Sequence, residues 1–260
     1  MYLSIITVTY NNLEGLKNTS ESILPLIDSC EWIIIDGNSS DGTKEHLKQY
    51  TNLENVTTIS EPDNGIYDAM NKGINLSRGE YLNFMNAGDS FIRESLEKII
   101  SKKTKNYDMI MYNCRTLYLD RSPAPARAFP NSIHLLKQWA CIQHQSTIIR
   151  KSVFDKTGLY SLDYKYLSDY DHSIKVYLDQ DLSINLDPSL SLAEFAVDGV
   201  STNSKTALKV ANEYKKIQLK YFGKYNRKLY LINLINSLLG LIPFSDSLKK
   251  VLRKLFLSNR

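Results

Sequence analysis

Residues 60–89, SEPDNGIYDAMNKGINLSRGEYLNFMNAGD, decide how this chain is read. The run is a polar loop, an amphipathic helix, a short turn, a buried strand and a closing loop that carries an acid. Ile66, Ala69, Met70, Gly73, Ile74 and Leu76 share one helical face, and Tyr81 to Met85 is a short apolar run of strand length. Open α/β sheets bind their ligands just beyond the carboxyl ends of the strands. Asp63 and Asp89 fall at two such ends, with the helix between them. That is a layout for a charged, phosphorylated ligand.

The preceding residues extend the pattern. Leu3 to Thr9 (LSIITVT) is a short β-branched run of the kind buried on both faces of a parallel sheet. A helical spacing of Leu13, Leu16, Ile23, Leu24 and Ile27 follows it, with Glu14 in the first turn. Trp32 to Ile35 is a second strand ending at Asp36. A polar turn over 37–43 then leads into a helix from about Lys44 to Gln49. Val56 to Ile59 is a third strand and Tyr81 to Met85 the fourth. Alternating β and α over a hundred residues implies a mainly parallel sheet flanked by helices. A dinucleotide fold needs G-x-G-x-x-G after the first strand, where only glycine lets the backbone approach a pyrophosphate. TYNNLEG stands there instead, so an NAD reading is disfavoured.

After Asp89 the order loosens. Leu96, Ile99 and Ile100 belong to a helix. Tyr107 to Tyr112 and Thr116 to Leu119 are expected as two strands, and the three prolines over 122–130 mark a loop or an edge. A short helix over 133–139, a strand over 141–149 and a short helix over 151–156 come next. A helix over 169–178 and strands over 182–186 and 190–197 complete the body.

Composition sets the bounds. The 260 residues suffice for one large domain, or one with an appendage, and 43% apolar content is ordinary for a chain that buries a core. Cys30, Cys114 and Cys141 are odd in number, far apart and in no CxxC pair. They argue for a reducing compartment and against a disulfide frame or a zinc site. The start has no basic n-region and is read as lacking a signal peptide.

The net charge of +4 is unevenly spread: 13 Lys/Arg against 2 Asp/Glu over 205–260 leave +11 there and −7 on the rest. The expected division is therefore an acidic body over 1–204 and a basic helical tail over 205–260. Leu208 to Phe222 is a basic amphipathic helix. The apolar run from Leu229 to Phe244 is too short to span a bilayer, which takes about 20 apolar residues. Leu248 to Leu257 alternates basic and apolar again. Such a tail suits a helix lying in the headgroup region, with a helix pair packed on the body as the second reading.

Several runs in order resemble the glycosyltransferase family 2 enzymes of the GT-A fold, in particular bacterial members that build surface polysaccharides such as O-antigen or capsule. They are TVTYN (7–11), IDGNSSDGT (35–43), SEPDNGIYDAMNKG (60–73), GEY (79–81) through NAGD (86–89), HQ (144–145), SDYD (168–171) and Phe195 through Gly199-Val200-Ser201. The resemblance spans about residues 1–205.

It implies an inverting, metal-dependent hexosyltransferase with a UDP-linked donor. The acceptor would be a saccharide, carried on a polyprenyl diphosphate at the cytoplasmic face of the cell membrane, and no nucleic acid is implied. Thr7, Tyr10, Asn11 and Asp36 would line the nucleotide pocket, Asp63 would help with the base, and Asn71 and Lys72 would reach the nucleotide or its phosphates. Lys72 could equally be a surface lysine, whereas the order of the motifs weighs against Asp36 and Asp63 being ordinary turn residues.

A diphosphate leaving group carries charge that a divalent cation usually stabilises, and a hard cation such as Mn2+ or Mg2+ takes oxygen ligands. The family's cluster of two or three acids is thinned here to Asn86 and Asp89. That leaves open that Asp89 only caps the next helix, and that the protein binds a nucleotide-sugar without turnover. A general base must take the proton of the attacking hydroxyl. Asp169 occupies the family's position for it, with Asp171 in reserve, and Asp169 could also be an N-cap. Ser168 replaces the usual Glu. His144 lies in a matched run and would sit beside the acceptor or the diphosphate, or serve only the structure. No histidine follows His172 to act as a late metal ligand. Gly199 to Ser201 could be a mobile loop over the donor, and Asp198 beside it is a weak candidate for any role.

Overall fold

A computed structural model describes residues 1–117, 122, 133–137, 142–196 and 206–240. The segment over 123–130, Cys141, Asp198, the 199–201 loop and the tail beyond 240 lie outside the described residues.

The strands are β1 (Leu3–Thr9), β2 (Glu31–Asp36), β3 (Val56–Ser60), β4 (Tyr81–Phe84), β5 (Ser90–Phe91), β6 (Met109–Leu117), β7 (Thr147–Arg150) and β8 (Ile184–Ala196). They form one sheet in the order β3-β2-β1-β4-β7-β6-β8-β5. The first four are mutually parallel, β7 runs against β4 and β6, and β8 runs parallel to β6. Every residue of β1 and β2 is buried, as expected of strands covered on both faces.

Alternation sorts their side chains. Leu3, Ile5, Trp32 and Ile34 join one core with Leu16 and Ile23 of helix α1 (Leu13–Ile23) and Leu96 and Ile99 of α4 (Arg93–Lys102). Ile6, Val8, Ile33 and Ile35 join the other, with Ala69, Met70 and Ile74 of α3 (Ile66–Leu76). A Cβ on Gly73 would meet Ile6 Cγ2 at 2.4 Å, so α3 seats on β1 only because residue 73 has no side chain. The remaining helices are α2 (Thr43–Leu47), α5 (Ile133–Leu136), α6 (Lys151–Thr157), α7 (Ser168–Leu178), α8 (Ala207–Phe222) and α9 (Arg227–Gly240).

Three expectations change. The strands expected over 182–186 and 190–197 are one long strand, β8. Its register against β6 shifts beside Pro188, whose carbonyl accepts from Asn113 Nδ2 at 2.6 Å; a bulge accommodates a proline that would otherwise break the ladder. The two strands expected from 107 likewise merge into β6 among the described residues. The strand expected over 141–149 opens instead with a single 3₁₀ turn, His144–Ser146, and only then becomes β7.

The boundary expected at 204 falls outside the described residues, and α8 beyond it is packed on the body. Tyr214 and Ile217 are buried with Leu136 of α5 and Leu167, Tyr170 and Ile174 at α7. Glu213 accepts from the backbone N–H groups of Lys165, Tyr166 and Leu167 at 2.8, 2.9 and 3.1 Å.

Candidate active site

The loops after the four parallel strands meet at one end of the sheet. Asn11, at φ +48°, donates its backbone N–H to Ser39 Oγ (2.7 Å) and accepts at Oδ1 from Ser40 N–H (2.8 Å), joining the loops after β1 and β2. Asn12 donates to the Ala87 carbonyl (2.9 Å), joining the loops after β1 and β4. At Gly37 the loops after β1, β2 and β3 converge: an added Cβ would lie 2.6 Å from Asp63 Oδ2 and 3.3 Å from Tyr10 Cδ2. Tyr10, 66% exposed, presents an aromatic face there. Tyr10, Asn11 and Asp63 are thus brought together around a glycine that leaves room between them.

Five expected residues have other employment. Thr7 does not face the cleft: alternation puts it on the α1 side of the sheet, fully buried, where its hydroxyl accepts from the Trp32 indole N–H at 2.9 Å. Asp36 is also fully buried. Its carboxylate accepts from the Ser39 N–H and hydroxyl and, at 2.7 Å, from the Ser60 hydroxyl, so it shapes the turn over 37–40 and offers a ligand no open oxygen. Asn71 clamps the Tyr160 backbone with both ends of its amide, at 2.8 and 3.0 Å. Lys72 donates to the Pro62 carbonyl (2.9 Å) and pairs with Glu61 (2.7 Å), pinning the Asp63 loop. Asp171, fully buried, accepts from Lys220 and Tyr221 of α8, each at 3.0 Å, which removes it as a reserve base.

The other candidates form one cluster, and topology explains it. Because β7 is antiparallel to β4, the turn that starts β7 lies beside the loop that ends β4. The fully buried Asn83 of β4 fixes that turn by donating to the carbonyls of Gln145 (3.0 Å) and Thr147 (2.9 Å). Gln145 Nε2 then donates to Asp89 Oδ2 at 2.9 Å, and His144 Nε2 meets Asn86 Nδ2 at 3.1 Å. On its other side, His144 Nδ1 stands 3.5 Å from Asp169 Oδ2. One turn therefore bridges Asn86 and Asp89 to Asp169.

Burial pushes the Asp89 carboxyl up to about 6, against the Gln145 hydrogen bond and the nearby His144. The Asn86 amide oxygen is buried without a partner. Asp89 does not cap α4, whose N-cap is Ile92. Asp169 is not an N-cap either: Leu167 holds that place, and Asp169 lies inside the first turn of α7, where a helix N-terminus favours negative charge. Its Oδ1 accepts from Tyr170 N–H at 2.9 Å and from the Tyr67 hydroxyl at 2.7 Å.

Tyr67 and Gln145 are site residues that sequence reasoning missed. Both lie inside the matching runs, Tyr67 next to Ile66 at the start of α3 and Gln145 next to His144, and neither carries a charge or motif signal of its own. Among the described residues no three His, Cys, Asp or Glu side chains converge on one point. A groove of about 760 Å³, lined in part by Met1, Tyr2, Glu80 and Lys103, lies at the opposite end of the sheet, by the starts of β1 and β4.

The mixed, mainly parallel sheet flanked by helices is that of the GT-A fold. Residues 4–158 match the family model described as "Glycosyl transferase family 2", and the chain belongs to that family. It is 30% identical over 186 residues to an uncharacterized glycosyltransferase of Mycobacterium tuberculosis, covering 68% of this chain and 69% of the relative. Its fold is similar to that of S. aureus TarS in complex with UDP-GlcNAc (TM-score 0.66, 15% identity, 91% of this chain and 72% of the other). It is also similar to the mannosyltransferase PcManGT from Pyrobaculum calidifontis in complex with GDP-Man and Mn2+ (TM-score 0.62, 15% identity, 92% and 70%).

Proposed function

We propose that this chain is an inverting glycosyltransferase that moves one sugar from a UDP-linked donor to a hydroxyl of a saccharide acceptor carried on a lipid diphosphate, with a divalent cation at Asn86 and Asp89. The observation that carries the reading is the single turn, His144–Gln145, linking those two residues to Asp169.

The donor set fits a hard cation. An unpartnered buried amide oxygen and a carboxylate that burial holds at a raised pKa both gain from positive charge, and donor phosphates complete such a shell. A cation held by Asn86 and Asp89 would offset the charge that develops on the leaving diphosphate. The protein's own part is to place the reactants. Tyr10, Asn11 and Asp63 hold the nucleotide at the mouth of the cleft. The acceptor oxygen attacks the anomeric carbon, its proton passes to Asp169 Oδ2, and the bond to the diphosphate oxygen breaks on the far side. Oδ1 already holds two donors, whereas Oδ2 faces only the 3.5 Å contact with His144, so Oδ2 is the oxygen free to accept.

Lipid-borne acceptor and location at the cytoplasmic membrane face rest on α8 and α9. The Lys215 ammonium sits over the rings of Tyr225 and Tyr230 at 4.9 and 5.4 Å. Paired aromatics and lysines suit a headgroup layer, and each basic side chain near an anionic surface contributes about 1 kcal/mol. No helix among the described residues is long and apolar enough to cross a membrane.

The test is UDP release from UDP-hexoses by the full chain, with Mn2+ and with chelator, in wild type and Asp169→Asn. Turnover that needs Mn2+ and Asp169 supports the reading. UDP binding without release under any acceptor favours the non-catalytic binder, which the thinned acid cluster motivates.

A further inference from the structure

Tyr67 has no part in the reaction as described so far, yet it touches the base. Its ring is buried and packs on Tyr160 with centroids 5.5 Å apart. Its hydroxyl lies 2.7 Å from Asp169 Oδ1 and 2.9 Å from the Tyr166 carbonyl oxygen, so one proton serves two acceptors on the segment that opens α7. Burial first, and then the charge of Asp169, hold the phenol well above its usual pKa, which keeps it a donor.

The residue also belongs to the other side of the cleft. It is four residues from Asp63, on a segment that is internally braced: Asp63 Oδ1 accepts from Gly65 N–H at 2.8 Å, and Asp68 Oδ2 accepts from Asn64 N–H at 2.9 Å. Gly65 at φ +112° turns this loop into α3, and the Lys72 bond to Pro62 closes it from the far end.

We propose that Tyr67 is a positioning residue for the general base, by which the loop at the donor end of the cleft orients Asp169. The proposal rests on the reading of Asp169 as base. With Oδ1 saturated by one O–H and one N–H donor, the carboxylate cannot turn about its Cβ–Cγ bond without losing a hydrogen bond to a charged acceptor, among the stronger kinds. Oδ2 is thereby kept toward the acceptor hydroxyl. Proton transfer demands that geometry, and a misplacement of about 1 Å can cost a hundredfold in rate. The base is thus aligned from the wall that holds the nucleotide, and donor site and base move as one braced unit.

The experiment uses the full chain with Mn2+ and a panel of UDP-glucose, UDP-galactose and UDP-GlcNAc, following UDP release on the member that wild type turns over fastest. Tyr67→Phe keeps the ring and removes only the hydroxyl. It is expected to lower kcat by about tenfold or more with KM for the UDP-hexose unchanged, and to add no further loss in an Asp169→Asn background. Wild-type kcat in Tyr67→Phe, with turnover abolished in Asp169→Asn, overturns the proposal and leaves Asp169 as base. Wild-type turnover in Asp169→Asn overturns both. A raised KM with kcat unchanged makes Tyr67 a donor-pocket residue and overturns it, as does a variant that no longer melts cooperatively. Crystal structures of wild type and Tyr67→Phe give a readout free of activity. A rotated Asp169 carboxylate in the variant is expected, and a carboxylate in its wild-type orientation overturns the proposal whatever the donor.

Discussion

Replacing His172 with phenylalanine should flatten the acid limb of this protein's stability curve. His172 is 3% exposed. It stacks on Phe154 (centroids 4.6 Å, planes 13° apart), meets the edge of Tyr160 at 5.2 Å, and shares a 2.8 Å hydrogen bond between Nε2 and Thr157 Oγ1. Burial pushes its pKa down to about 3 from 6.5. Lys175 pushes the same way, while Asp171, Asp169 and a backbone hydrogen bond at Gly158 oppose it. Between those two values the unfolded chain binds a proton that the native chain refuses, so stability rises with pH across the window. The contribution is fully present above 6.5 and is lost as pH falls toward 3. The slope is about 1.4 kcal/mol per pH unit, and over the whole window it amounts to about 4–5 kcal/mol, a large part of a typical domain's stability.

Phenylalanine keeps the stack and cannot titrate. Urea unfolding of both proteins at a series of pH values below about 6.5 should show the wild type losing stability faster than the variant by that slope. Asp89, whose raised pKa gives stability that is present below 3.8 and lost as pH rises through about 6, is in both proteins and cancels. Parallel curves would refute the assignment of His172 as a neutral buried group.

Gly73→Ala should destabilise by about 1–3 kcal/mol through overpacking against Ile6, lowering Tm in thermal melts by several degrees. Glu213→Ala, which strips three backbone N–H groups of a charged acceptor, should cost about 2–3 kcal/mol in chemical denaturation. Asp89→Asn should raise the stability of the metal-free protein by up to about 2–3 kcal/mol, since the carboxylate is held at a pKa near 6, while abolishing any Mn2+-induced rise in Tm. On the proposed membrane reading, wild type should float with phosphatidylserine vesicles and Lys215→Glu with Lys216→Glu should not, while UDP release in solution is unchanged.

The alternation of apolar runs was enough to place β1 to β4 and α3, because strands buried on both faces leave an unbroken β-branched signature that loops and helix faces interrupt. The ends of those strands located Tyr10, Asn11, Asp63 and Asp89 for the same reason. Side-chain direction was not legible. Thr7 and Asp36 sit at the expected positions, but Trp32, Ser39 and Ser60 claim their polar atoms, and the Trp32 and Ser60 pairings span 25 and 24 residues in sequence. Pro188 hid the continuity of β8, since a bulge and a chain break look alike without the partner strand. The meeting of His144 and Gln145 with the β4 loop depends on β7 running antiparallel, which no local pattern announces. Tyr67 stands between the apolar positions of α3 with no local signal of a role, and its hydroxyl acquires meaning only once α7 is alongside.

The Glu213 carboxylate has a consequence for how this enzyme can be taken apart. Removing the tail at residue 205 would uncover Tyr170 and Ile174 and free the loop that leads into Asp169, so a shortened chain that lost activity would say nothing about lipid. Tail and candidate base share one girder. An acid at position 213 holds the turn into α7 while Lys220 of the same helix reaches the buried Asp171, so this helix belongs to the frame of the body and cannot be trimmed as an appendage.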